Sequence, residues 1–161
     1  MPASTEELRD GVFAASELEL LNQRGEPAKL TDFRGRNLVV YFYPMDDTPG
    51  CTTEGQEFRD LYDQFQALDT AVVGVSVDSV QSHREFAEKH GFPFMLLSDQ
   101  RGELARAFGV LRDGIADRAT FVFDRDGHIR RVFHEVRAHG HAQQVLNFVR
   151  TLLESHRMIG G

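Results

Sequence analysis

Two spacings of apolar residues alternate along the chain. A continuous apolar run of strand length occupies residues 38–43, and the mainly apolar stretches 71–77, 94–97 and 119–124 read as further strands. A short unbroken run of this kind is what a strand buried on both faces requires. After the first run, Phe58, Leu61, Tyr62, Phe65 and Leu68 recur at three- and four-residue intervals, which places them on one face of a helix. Residues 82–90 predict a second helix stopped by Gly91, and residues 102–108 a third ended by Gly109, because glycine readily takes the left-handed backbone that ends a helix. A final helix over 141–154 supplies Val145, Leu146, Phe148, Val149 and Leu152 as its apolar residues.

The polar segments between these elements predict the turns. Residues 17–21 read as a short strand, and Asn22-Gln23-Arg24-Gly25-Glu26 as a turn returning toward Leu30. Strands over 119–124 and 128–133 are joined by Arg125-Asp126-Gly127, whose Asp-Gly pair favours a tight hairpin. Residues 1–10 read as a loose charged lead-in. The 161 residues show no repeat and no Gly/Ser/Pro-rich linker, so residues 1–161 are expected to form one domain. Strand, helix, strand, helix, then a hairpin and a last helix predict an α/β protein. Its central mixed β-sheet is flanked by helices on both faces, with an N-terminal β-hairpin extension. That order resembles a thioredoxin-like fold.

Charge and composition remove several function classes. A net charge of −7 leaves no electrostatic footprint for nucleic acid or an anionic membrane. No apolar run approaches the ~18–20 residues that span a bilayer, and the acidic, polar N-terminus does not read as a secretory signal. The single cysteine fits a reducing compartment. The expectation is a cytoplasmic protein, monomer or homodimer, without a nucleic-acid or membrane partner.

That cysteine carries the chemistry. Tyr41-Phe42-Tyr43-Pro44-Met45-Asp46-Asp47 ends a strand in a turn, and Thr48-Pro49-Gly50-Cys51-Thr52 starts a helix. Threonine is a good N-cap and proline a good first helical residue, so Cys51 falls in the first turn. Unpaired N–H groups and the positive end of the helix dipole favour a thiolate there. Neighbouring motifs are incomplete for other thiol chemistries. Glu54 occupies the position where a dithiol reductase needs a second cysteine, and Glu57 the position where a cysteine phosphatase needs arginine. No motif places a histidine base beside the thiol for hydrolysis. The His134, His139 and His141 group reads as exposed histidines around a loop and helix start, and Asp46-Asp47 as ordinary acidic residues before a helix.

A set of ordered segments is more specific. Leu30-Thr31-Asp32-Phe33-Arg34-Gly35, Tyr41-Phe42-Tyr43-Pro44 with Asp46-Asp47-Thr48-Pro49-Gly50-Cys51-Thr52, and Gly74-Val75-Ser76-Val77-Asp78 with Ser82-His83 occur in this order. Leu96-Leu97-Ser98-Asp99 and Arg118-Ala119-Thr120-Phe121 before Asp126-Gly127 follow. Together they resemble the peroxiredoxins of the bacterioferritin-comigratory-protein, or PrxQ-like, branch. The resemblance implies a thiol-dependent peroxidase for hydrogen peroxide and organic hydroperoxides, working without a cofactor or metal. Cys51 would be oxidised to a sulfenic acid and Pro44 would shield it. Thr48 would bond thiolate and peroxide, Arg118 would stabilise the thiolate and hold the peroxide, and Glu54 would orient Arg118. Many relatives carry a resolving cysteine five residues on, where this chain has Gln56. A single-cysteine enzyme would need an external reductant, such as a small thiol or a thioredoxin- or glutaredoxin-type protein, or Cys51 of a second subunit. The competing reading is a non-enzymatic peroxide sensor or redox-regulated binding module on the same scaffold.

Overall fold

A computed structural model describes residues 15–160, with side chains to residue 153; the lead-in over residues 1–10 lies outside the described residues. The strands are β1 (Leu20–Asn22), β2 (Pro27–Ala28), β3 (Asn37–Phe42), β4 (Thr70–Ser76), β5 (Met95–Ser98), β6 (Leu111–Arg112), β7 (Ile115–Ala116), β8 (Ala119–Phe123) and β9 (Ile129–Phe133). The α-helices are α1 (Pro49–Ala67), α2 (Val80–His90), α3 (Glu103–Ala107) and α4 (His141–Gly160). Seven strands form one mixed sheet in the order β2-β1-β5-β4-β3-β8-β9. β3, β4 and β5 are parallel, and the flanking pairs are antiparallel. This is the thioredoxin-like mixed sheet expected from the element order.

Strand β3 explains why two cores exist. All six of its residues are buried, and successive side chains of a strand point to opposite faces. Val39, Tyr41 and Tyr43 enter a core shared with Phe58 and Phe65 of α1, Phe86 of α2 and Val145 and Leu146 of α4. Leu38, Val40 and Phe42 enter the other, against Leu104 and Ala105 of α3. Helices therefore cover both faces, and the apolar run at 38–43 reads as continuous because neither face meets water.

Several boundaries differ from the expected ones, each for a local reason. β1 starts at Leu20 rather than at residue 17, because Leu18 N–H closes a turn onto the Ala15 carbonyl. It does form the expected hairpin with β2, and its other edge pairs with β5. β5 begins at Met95 because the Gln23 side-chain amide bonds the Phe94 carbonyl and the Leu96 N–H, standing in for a strand residue. β9 begins at Ile129 because the His128 N–H is committed to the Asp124 carboxylate that closes the turn. The β6–β7 hairpin was not anticipated. Its turn is Asp113-Gly114, both in the left-handed region, the same Asp-Gly signal that marks the β8–β9 turn.

Gly55, inside α1, shows how tightly the helix seats. An ideal Cβ there would lie 2.5 Å from Phe92 Cζ. Alanine favours a helix over glycine by about 1 kcal/mol, but overpacking costs about 1–3 kcal/mol. The contact is with a ring that is itself stacked on Phe94 and edge-on to Phe86, so it cannot swing aside. Gly55→Ala is therefore expected to destabilise the protein by about 1–2 kcal/mol in denaturant unfolding, against the helix propensity.

Candidate active site

The parallel strands deliver the site. β3 ends at Phe42, the loop 43–48 crosses its carboxyl end, and α1 starts with Thr48 as N-cap and Pro49 as first helical residue, as the sequence pattern required. Cys51 is the third helical residue and only 1% exposed. Arg118 enters from the opposite direction, immediately before β8, the antiparallel neighbour of β3. The sheet register pairs Phe42 with Ala119, so the ends of two adjacent strands bring residues 67 positions apart together.

Arg118 is divided between two partners. Its Nη1 donates to Glu54 Oε1 at 2.7 Å and its Nη2 donates to Cys51 Sγ at 3.4 Å. The guanidinium is 19% exposed and the Glu54 side chain is fully buried. Burial works against the charge on Arg118, but Glu54 and Cys51 together more than compensate and raise its already high pKa. The cation is therefore permanent. Gly50 makes room for it: a Cβ there would stand 3.0 Å from Nη2 and 3.9 Å from the Ala138 Cβ. Sequence reading passed over Gly50, although its place just before the cysteine is the signal that backbone and guanidinium approach closely.

Glu54 is pushed up from 4.5 to about 7. Burial is the main cause, the charge and hydrogen bond of Arg118 oppose it, and Glu57 adds to it. Its second oxygen and the buried Tyr41 hydroxyl have no hydrogen-bond partner among the described residues. Tyr41 is raised well above the ordinary phenol value, by burial first and then by Glu54 and Cys51, so it remains neutral beside the thiol.

Thr48 occupies the cap position, but its hydroxyl donates to the Met45 carbonyl at 2.8 Å rather than bonding a helix N–H or the sulfur. With its hydrogen so committed, Oγ1 presents lone pairs outward, as an acceptor. Pro44 is half-buried where β3 passes into the loop, and it brings no N–H donor.

Of the three grouped histidines, His134 and His139 are exposed as expected, whereas His141 is buried. His141 Nε2 lies 2.7 Å from Thr120 Oγ1. Its pKa falls to about 4, chiefly through burial, with the Arg118 charge lowering it further against a hydrogen bond to Gln144. It is a neutral ring behind the arginine. A two-residue offset from Arg118 to Thr120, on one face of β8, is the pattern that would have found it.

Two clusters bring together groups that also ligate metals: Asp46, Asp78 and His83, and Asp124, Asp126 and His128. In the first, both Asp46 oxygens, Asp78 Oδ2 and both His83 ring nitrogens are occupied by hydrogen bonds within the protein. In the second, Asp124 is engaged in closing the β8–β9 turn.

A buried thiol, a fixed guanidinium and a helix N-terminus on this sheet define a thiol peroxidase of the peroxiredoxin class, and relatives agree. Residues 13–132 match the AhpC/TSA family. Peroxiredoxin Bcp of Bacillus subtilis (strain 168) is 40% identical over 149 residues, covering 87% of this chain and 94% of that protein. The Xanthomonas campestris bacterioferritin comigratory protein superposes with a TM-score of 0.83 at 37% identity, over 86% of this chain and 94% of that one. Xylella fastidiosa PrxQ gives a TM-score of 0.84 at 33% identity, over 95% of each chain. The chain belongs to the AhpC/TSA family, in its Bcp/PrxQ group, and is a thiol-dependent peroxidase. Structures of Xanthomonas campestris peroxiredoxin Q include mutants at two different cysteines, whereas this chain has one.

Glu54 gives a signed expectation. Between pH 4.5 and about 7 the unfolded chain has lost a proton that the folded chain keeps. Its contribution to stability therefore declines as pH rises through that window and levels off above it. Unfolding free energies of the wild type and Glu54→Gln, measured from pH 4.5 to 8, are expected to diverge by at most about 3 kcal/mol. The wild type loses ground as pH rises.

Proposed function

We propose that Cys51 attacks the terminal oxygen of hydrogen peroxide or an organic hydroperoxide. The S–O bond forms as the O–O bond breaks. Sulfur gives up two electrons and becomes a sulfenic acid. The departing hydroxide or alkoxide takes up a proton and leaves as water or alcohol. The observation that carries this reading is the guanidinium fixed between Glu54 and the sulfur. Negative charge moves during the reaction from sulfur to the leaving oxygen, and a preorganised cation beside both stabilises the transition state more than the ground state. Thr48 Oγ1 accepts the hydrogen bond of the peroxide O–H, Pro44 shields the thiol, and Glu54 keeps Arg118 aimed. Neutral Tyr41 adds no anion that would compete for the guanidinium, and neutral His141 adds no second cation beside it. The alkyl peroxide reduction named for the Xanthomonas campestris relative supports organic hydroperoxides as substrates here.

An external thiol completes the cycle. It condenses with the sulfenic acid, releasing water and leaving a mixed disulfide, and a second thiol frees Cys51 as it forms a disulfide with the first. A small thiol or a thioredoxin- or glutaredoxin-type protein supplies these electrons. Without rapid resolution the sulfur is open to overoxidation. On this reading the protein serves peroxide defence in the cytoplasm, as a monomer or homodimer, and the net charge of −7 supports a role without nucleic acid or an anionic membrane as partner.

The test is a rapid-quench measurement of Cys51 oxidation by one equivalent of hydrogen peroxide, followed by turnover with thiol. The wild type is expected to react several powers of ten faster than free cysteine, each worth about 1.4 kcal/mol of barrier. Arg118→Ala is expected to lose on the order of 10²–10³-fold, and Cys51→Ser all activity. A rate no better than free cysteine overturns the peroxidase assignment of the site, and fast oxidation without thiol turnover marks a sensor.

A further inference from the structure

The departing oxygen needs a proton, and the cluster around Arg118 has one place to keep it. Cys51 and Glu54 stand one turn apart on α1, and both bond the same guanidinium. Arg118 supplies a single permanent positive charge. Glu54 is wholly buried and Cys51 is 1% exposed. A thiolate and a carboxylate together would leave a negative charge in excess there, and an uncompensated buried charge is costly. The sulfur and the carboxyl group therefore hold one proton between them and titrate as a pair.

The hydrogen bonds say where that proton lies. Arg118 Nη1 donates to Glu54 Oε1 at 2.7 Å, so this oxygen is an acceptor. Oε2 has no hydrogen-bond partner among the described residues. An ionised oxygen left in that position is far more costly than a neutral hydroxyl, so the proton belongs on Oε2. The groups around Glu54 fit this state. On its own helix, the charge of Glu57 favours the acid form. On β3, the buried Tyr41 hydroxyl is also without a partner among the described residues, and after burial itself Glu54 acts on it most strongly. Tyr41 stays neutral, and so does His141, which lies behind the arginine at the start of α4. A Glu54 acid, an Arg118 cation and a Cys51 thiolate sum to zero.

We propose that Glu54 is the proton store of the peroxidase cycle: it holds a proton while Cys51 is a thiolate and gives it up as Cys51 is oxidised. Arg118 then has one counter-ion at every stage. The inference rests on the peroxidase reading above. In the oxidation step, thiolate, Glu54 acid and hydroperoxide become sulfenic acid, Glu54 carboxylate and water or alcohol. The S–O bond forms, the O–O bond breaks and sulfur loses two electrons. The proton that Glu54 loses balances the one that the leaving oxygen gains. In the last step, a second thiol expels Cys51 from the mixed disulfide as a thiolate, and the proton of that thiol restores the Glu54 acid.

The test is a single turnover of reduced protein with one equivalent of hydrogen peroxide, about one pH unit below the value at which Glu54 titrates. Three quantities are followed: the ultraviolet absorption of the thiolate, proton uptake from a weakly buffered indicator solution, and the infrared difference spectrum. In the wild type the thiolate absorption is expected to disappear without net proton uptake. One carboxylic-acid carbonyl band is expected to give way to carboxylate bands. Glu54→Gln is expected to take up one proton per sulfur oxidised and to lack that band change, whereas Glu57→Gln keeps it. A Glu54 that only aims Arg118 would stay in one protonation state, so the band would persist and the wild type would itself take up a proton. That result overturns the proposal, as does a reduced wild type without thiolate absorption, in which the shared proton sits on sulfur. If Glu54→Gln does not fold, the wild-type proton count and infrared band decide. Failure of the peroxidase reading is separate, because it shows as slow oxidation of the wild type in the same mixing experiment.

Discussion

A guanidinium held mostly out of water, shared between a carboxylate and a sulfur, is the constraint around which this site is built. Removing charge from water is expensive and is tolerated when the partner groups are close and well aimed. Arg118 meets that condition by turning one nitrogen to Glu54 and another to Cys51. Glu54 carries the cost, since burial moves its proton affinity far from the ordinary carboxylate range. Because both partners lie on the first two turns of α1, the arginine also locks the helix against the end of β8. The glycine preceding the cysteine belongs to the same constraint, for a Cβ there would press on the guanidinium at 3.0 Å.

The sheet places these groups at one end. The parallel strands β3, β4 and β5 all finish on the side where the loop 43–48 crosses, and β8 begins there because it runs antiparallel to β3. An α/β sheet characteristically gathers its chemistry at the carboxyl ends of its parallel strands. Here that edge holds two layers. The outer one contains the thiol and its cation. Behind it lies the Asp46, His83 and Asp78 cluster, whose hydrogen bonds are made within the protein. The inner layer ties the loop 43–48 to α2 and to the ends of β4 and β5.

Much of this was legible in the sequence, because the relevant signals were local. The run at 38–43 and the Thr48-Pro49 helix start placed Cys51 in its first turn, and the resemblance to a known family picked out Arg118 and Glu54. What was not legible depended on distance in the chain. Asp46 looks like any acid before a helix until His83, 37 residues on, is seen against it. His141 looks like an exposed loop histidine until Thr120 is seen beside it. The Thr48 hydroxyl was expected at the sulfur or the helix N–H groups, and the backbone carbonyl of Met45 takes its hydrogen instead. The small β6–β7 hairpin is a different case, since its Asp113-Gly114 turn is itself a local signal.

The complete burial of β3 has one more consequence. Its alternate side chains are committed to two separate cores, so the strand cannot slide by one residue without exchanging them. Its far end runs straight into the turn that holds the thiol. The span from Asn37 to Cys51 thus acts as a ruler of fixed length, read from the interior of the protein outward. Insertions are expected to be better tolerated at the surface turns near Gly25 or Gly127, which lie outside this span. One extra residue within the ruler would shift the sulfur by about 3 Å relative to an arginine that arrives on a different strand and cannot follow.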